Sequence, residues 1–176
     1  MMNSQQIYSC LKRDKTTYKD FRGVFPRDML INQGKILCGK NNSYVCNTAV
    51  KSESGEHWVA FFISDKGEGE YFDSFGLHPN PTFASFLNVN CNSWVRNNVS
   101  FQSPFTTVCG QYCVYFIHKR SSGESMKCII KTLKQGNSDS IVNTFVNKHF
   151  SGTGKHALLD SRFVVHQIAK EMKNLL

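Results

Sequence analysis

Long hydrophobic runs are missing from this chain. The longest, Trp58 to Ile63 and Cys113 to Ile117, are far too short to cross a bilayer, so no membrane partner is expected. The first ten residues, MMNSQQIYSC, lack the apolar segment of a signal peptide, so secretion is not expected. Proline is scarce, with 4 residues, and charged side chains make up only 19% against 40% hydrophobic. That balance excludes a collagen, a disordered chain and a coiled coil. Internal repeats and low-complexity linkers are absent. No Cys-x-x-Cys pair occurs among the 7 cysteines. The closest two, Cys109 and Cys113, stand one helical turn apart, so no metal cofactor is expected. An odd number of cysteines in a chain not expected to be secreted reads as reduced thiols, one of them reactive, rather than a disulfide framework.

Acidic residues are also in short supply. There are 13 against 21 basic ones, giving a net charge of +8. The imbalance is uneven: residues 1–50 carry 8 basic and 3 acidic side chains, residues 51–80 carry 2 and 6, and the remainder 11 and 4. Two basic regions thus flank one acidic stretch. Excess of this size favours contact with a polyanion such as DNA, although a solvated helix face would look the same.

What is present fits one domain over residues 1–176, at 20.0 kDa. Ile7, Cys10 and Leu11 recur at helical spacing in 4–13, with Ser4 as the expected N-cap. Gly23 and Pro26 mark a loop. Tyr44 to Val50 alternates as a strand does, Trp58 to Ser64 is apolar enough to be buried on both faces, and Glu70 to Asp73 begins a third strand. These make an antiparallel meander. A short helix follows from Pro81 to Leu87, and 88–106 read mainly as loop. Helices are expected at Thr107 to His118, Ser125 to Leu133, Ser138 to Lys148 and Asp160 to Asn174, so the part from about 120 to 176 is helical. The order of helix, strands and helices means α+β. SGTGKH at 151–156 fails the phosphate-loop pattern and reads as a connection between helices.

Four side chains fit nucleophilic catalysis. His57 opens the buried strand, Asp73 ends the next in YFDSFG, Gln102 lies in a loop, and Cys109 begins a helix in TTVCGQYC. A helix start offers free N–H groups and a positive dipole end, and both favour thiolate over thiol. Gly110 has no side chain to block an incoming carbonyl. Two neighbouring strands bring His57 and Asp73 together if both face one side. The carboxylate would then hold one imidazole nitrogen and leave the other to take the thiol proton. Each residue alone has a plainer reading: packing for Cys109, a core histidine for His57, a turn former for Asp73. Cys113 reads as a small buried hydrophobe beside Phe116.

In combination, HWVAFF, YFDSFG and Gln102 ahead of CGQYC resemble the adenovirus-type cysteine proteases (adenain family), in particular the branch carried by Maverick/Polinton elements and adenovirus-like viruses. FRGVFPRDML at 21–30 and CGKNNSYVCNTAV before the histidine extend the resemblance, which spans residues 4–118. It implies a small mixed or antiparallel sheet packed between helices, the fold shared with SUMO-specific proteases. It implies His57 as base, Asp73 as its orienter where many adenovirus enzymes have Glu, and Cys109 as nucleophile. Gln102 becomes an oxyanion donor beside the Cys109 amide, and Trp58 a cover over the His57 ring, with a plain core tryptophan as the equal reading. It further implies an endopeptidase, working as a monomer in virions and in the host nucleus or cytoplasm, that cleaves capsid and core precursors during particle maturation. DNA and a short peptide, the latter disulfide-linked through an exposed Cys91, would be its stimulators. A SUMO or ubiquitin-like isopeptidase of the same fold and an inactive nucleic-acid-binding module are the alternatives.

Overall fold

A computed structural model describes residues 1–33, 36 and 39–150. The expected helix at Asp160 to Asn174 and the segment SGTGKH lie outside the described residues. Helix α1 (Ser4–Arg13) is followed by strand β1 (Phe21–Phe25), two short 3-10 turns, and strands β2 (Asn42–Asn47), β3 (Trp58–Ile63) and β4 (Glu68–Phe72). Helix α2 (Pro81–Asn90), strand β5 (Ser93–Arg96) and helices α3 (Cys109–Ser121), α4 (Met126–Leu133) and α5 (Ser138–Phe150) complete the described chain. The five strands lie side by side in chain order. β2, β3 and β4 pair antiparallel, as the alternation and turns require, while the edge strands β1 and β5 pair parallel to their neighbours.

Both edge strands correct the sequence reading, which had loop at each. β1 contains Gly23 at a register shift and ends before Pro26, so its composition carries turn signals. β5 is four residues of mixed polarity, its residues alternating between exposed and half-buried. A parallel edge strand is specified by a partner far along the chain, not by a local turn. Smaller corrections concern ends. Asn3, not Ser4, caps α1, in a reciprocal capping box with Gln6. α2 runs on to Asn90 behind the cap of Asn80 and the first-turn Pro81. α3 begins at Cys109 itself and ends at Ser121.

The sheet has a core on each face. Val45, Trp58, Ala60, Phe62 and Phe72 pack with α1, α3, α4 and α5. Tyr44, Cys46, Val59, Phe61 and Tyr71 on the opposite face pack with Phe83, Phe86 and Leu87 of α2. Every residue of β2 and β3 is buried, as expected of strands covered on both sides. α3 is seated on the sheet by a stack of Phe116 on Phe72, ring centroids 4.6 Å apart and planes 9° from parallel. At its other end Arg120 bonds Glu70 at 2.6 Å and lies over the Phe62 ring, 4.4 Å from its centroid. Truncating Phe116 to Ala would cost about 3–5 kcal/mol and loosen the helix that begins with Cys109.

Candidate active site

The meander delivers two of the four side chains. His57 immediately precedes β3, Asp73 immediately follows β4, and the pairing of those strands aligns them. His57 Nε2 stands 2.8 Å from Asp73 Oδ1. Backbone geometry fixes the aspartate firmly. Its Oδ1 also accepts the Phe75 N–H at 2.8 Å. Asn97, fully buried, accepts the Asp73 N–H at 2.9 Å and donates to its carbonyl at 2.6 Å. The turn closes through the Gly76 N–H on the Asp73 carbonyl. Gly76 adopts φ +67°, and a Cβ there would come 2.7 Å from the Val99 carbonyl carbon, so only glycine fits. The loop entering His57 is held by Asn47, whose Oδ1 accepts from Ala49 and Glu56 at 2.9 and 3.1 Å.

Cys109 arrives from α3, which packs on the face of the sheet opposite α2. Val108 at the N-cap position offers no side-chain oxygen, and the first turn holds no acid, so the helix's free N–H groups are left for other acceptors. Burial alone would raise the Cys109 pKa. Its hydrogen bond with His57 and those from the Trp58 and Gly110 backbone outweigh that and hold it below the usual thiol value. Burial alone would likewise lower the His57 pKa. The bonds to Asp73 and Cys109, with their charges, push it instead up to about 9. The two shifts run in opposite directions, as in a thiolate–imidazolium pair at neutral pH. Cys113, one turn on, is fully buried and its thiol is pushed well above the usual value, so it has no such character.

Gln102 is 4% exposed, and its amide is oriented from both ends. Ser74 Oγ donates to its Oε1 at 2.7 Å, and its Nε2 donates to the Thr106 carbonyl at 2.7 Å. A carbonyl can only accept, so Thr106 decides which end is nitrogen, and among the described residues the second N–H has no acceptor. Thr106 is held in turn by Asp139 in the first turn of α5, through a 2.9 Å bond from Thr106 Oγ1. The same carboxylate accepts from Tyr112 Oη at 2.8 Å. Ser74, Asn97 and Asp139 escaped the sequence reading. The adjacency of Ser74 to Asp73 was the one local signal available, since a strand end can hold two neighbouring residues on two partners.

Three expectations change. The ring against His57 is Phe75, at 5.0 Å between centroids, while Trp58 sits in the core with its indole N–H on the Met2 carbonyl. Gly110 makes room for packing, because a Cβ there would lie 2.9 Å from Met2 Cβ and 3.3 Å from Ile7 Cδ1. Cys91 is half-buried, at the C-terminal end of α2, with its sulfur turned toward Gly69, and burial pushes its thiol up to about 11. It stands apart from the other four residues because α2 covers the opposite face of the sheet from α3. Beside His57 and Asp73 lies a hollow of about 420 Å³, walled by Arg27, Phe75, Leu77 and His78.

In sequence the chain is similar to proteases of adenoviruses, and in fold to a solved viral protease. It is 25% identical over 136 residues to the protease of Human adenovirus A serotype 12, covering 67% of this chain and 64% of that protein. It is 28% identical over 93 residues to the protease of Bovine adenovirus C serotype 10, covering 44% and 47% respectively. The chain thus spans less than two thirds of the length of these curated relatives. Of solved structures, the ASFV pS273R protease matches with a TM-score of 0.61 at 20% identity, over 85% of this chain and 66% of that one. ChlaDub1 from Chlamydia trachomatis matches with a TM-score of 0.57 at 13% identity, over 85% and 92%. No family model matches the chain.

Proposed function

We propose that the protein is a thiol endopeptidase, and that Cys109, His57, Asp73 and Gln102 carry its chemistry. The observation that supports this most directly is one imidazole shared between Asp73 Oδ1, at 2.8 Å, and a thiol at a helix start. In the reaction, the Cys109 thiolate attacks the scissile carbonyl and its electron pair moves onto oxygen. The free Gln102 N–H and the Cys109 amide stabilise that oxyanion. The tetrahedral adduct collapses as the His57 imidazolium gives its proton to the departing amine, leaving a thioester on Cys109. Water, deprotonated by neutral His57, then cleaves the thioester and restores thiolate and imidazolium. Asp73 keeps the ring in the tautomer that presents Nδ1 to sulfur.

For substrates, the similarity to adenovirus proteases favours capsid and core precursors of an adenovirus-like virus or Maverick/Polinton element, with action in the virion or host cell. Among the described residues no helix is long and apolar enough to cross a membrane. The net charge of +8 supports non-specific binding of DNA. Cys91 is proposed as the attachment point of an activating peptide, which would require the Gly69 contact to open. The decisive experiment is digestion of the element's own capsid proteins, with wild type and Cys109→Ala, and mass spectrometry of the new termini. New termini made only by wild type support the reading. Cleavage confined to ubiquitin-like conjugates would replace it with the isopeptidase, and no thiol-dependent cleavage of either would overturn both. DNA affinity measured by anisotropy should fall steeply with salt and vary little with sequence; no binding at low salt would remove the DNA proposal.

A further inference from the structure

The end of the molecule away from Cys109 holds a second convergence of side chains. Asp14 caps the C-terminus of α1, His118 lies in the last turn of α3, and His149 in the last turn of α5. One ligand atom from each lies within 4.8 Å of the other two. His118 is only 8% exposed, yet among the described residues neither of its ring nitrogens has a hydrogen-bond partner. Its Nε2 faces Asp14 Oδ1 at 3.8 Å, beyond hydrogen-bond reach. Buried polar groups are ordinarily satisfied, so an imidazole enclosed with both nitrogens unpaired calls for a partner. The His149 ring meets it edge to face at 4.7 Å, and Phe145 lies 5.0 Å from both rings, stacked on His149. Asp14 is oriented in advance: its Oδ1 accepts the Thr16 and Thr17 N–H groups at 2.9 and 3.2 Å, which leaves Oδ2.

We propose that Asp14, His118 and His149 form a binding site for a divalent transition metal of the zinc class. Two imidazoles and one carboxylate are a donor set that zinc accepts, with water as the fourth ligand. Tetrahedral ligands about 2.0–2.1 Å from zinc stand roughly 3.4 Å from one another, so the three must draw in by up to about 1.4 Å. The exposed His149 side chain is free to supply most of that movement. The Thr16 and Thr17 amides hold the carboxylate as outer partners do in metal sites. Cysteine spacing gives no sign of these residues, because three separate helix ends supply them. A metal there would fasten α1, α3 and α5 to one another. α3 starts with Cys109, and α5 starts with the Asp139 that holds the Gln102 loop. The ion therefore has a structural role and no part in bond cleavage.

The test uses the full chain with Cys109→Ala, Cys128→Ser and Cys38→Ser, which removes the reactive thiol, the exposed one among the described residues, and Cys38 as competing ligands. Cobalt(II) is added to metal-free protein and followed by visible absorption, then displaced with zinc. One equivalent should give tetrahedral bands without a thiolate charge-transfer band, and zinc should raise the melting temperature. Asp14→Asn keeps the acceptor for Thr16 and Thr17, and His149→Ala changes an exposed side chain, so both should fold as the parent does without metal. Each should weaken zinc binding about a hundredfold and lose the thermal shift. Absence of binding by the parent would overturn the proposal. So would a thiolate band, or zinc affinity unchanged in His149→Ala.

Discussion

Replacing Asp73 by Asn isolates the charge of the carboxylate from its geometry. A single oxygen, Oδ1, accepts from both His57 Nε2 and the Phe75 N–H, each at 2.8 Å. An asparagine with its oxygen in that place keeps both bonds and loses only the charge. A hydrogen bond to a charged group contributes about 1.5–3 kcal/mol against about 0.5–1.5 for a neutral one. The difference, about 1–2 kcal/mol, is roughly one pKa unit of His57. The sign follows from the ion pair. Under the proposed mechanism activity rises with pH as Cys109 loses its proton, below the usual thiol range, and falls as His57 loses its own near 9. Without the carboxylate's charge, imidazolium is less favoured, so the alkaline limb moves down, from about 9 to about 8. The assay is kcat/KM on a fluorogenic peptide over roughly pH 5 to 10. About a tenfold loss near neutrality is expected, against about a thousandfold for Asp73→Ala, which strips the partner from both donors. An alkaline limb that stays near 9 in Asp73→Asn would refute Asp73 as the source of the raised base.

Other substitutions test the remaining parts. Cys109→Ala and His57→Ala should each lower hydrolysis by about three or more powers of ten, with the double variant barely worse, while Cys113→Ala stays active; additive losses in rate measurements would contradict a shared mechanism. Gln102→Ala should cut kcat by about two to three powers of ten with KM little changed. Ser74→Ala leaves Gln102 Oε1 buried without a donor, costing about 1–3 kcal/mol in urea unfolding, and should lower kcat about tenfold because Thr106 still orients the amide; wild-type kcat in a destabilised Ser74→Ala would speak against Gln102 as oxyanion donor. Gly76→Ala forces a Cβ against the Val99 carbonyl at positive φ, and thermal unfolding should show a loss of about 2–4 kcal/mol.

The central meander was readable because β2, β3 and β4 follow one another through local turns, and the hydrophobic pattern of WVAFF needs a strand covered on both sides. The pairing of His57 with Asp73 followed from that hairpin. β1 and β5 were hidden, since each depends on a partner reached by a crossover, and their glycine and polar residues look like loop. Within the site, the residues that hold others were the ones missed. Asn97 and Asp139 act through bonds spanning 24 and 33 positions, and no spacing rule connects them to Asp73 or Thr106. The ring against His57 is Phe75, and of the two readings of Trp58 the core one holds, because neighbours at a strand end turn to opposite sides.

The division of the site between a hairpin and a later helix has a consequence for biosynthesis. His57 and Asp73 are 16 positions apart and meet within the meander, among contacts that form early because their loops are short. Cys109 joins them only when α3 docks, held by the Phe116 stack on Phe72 and the Arg120 bond to Glu70. A nascent chain on which the meander alone has formed therefore carries a paired base and no nucleophile. Under the proposed mechanism, a half-folded copy cannot cut its neighbours, and hydrolytic competence coincides with completion of the fold.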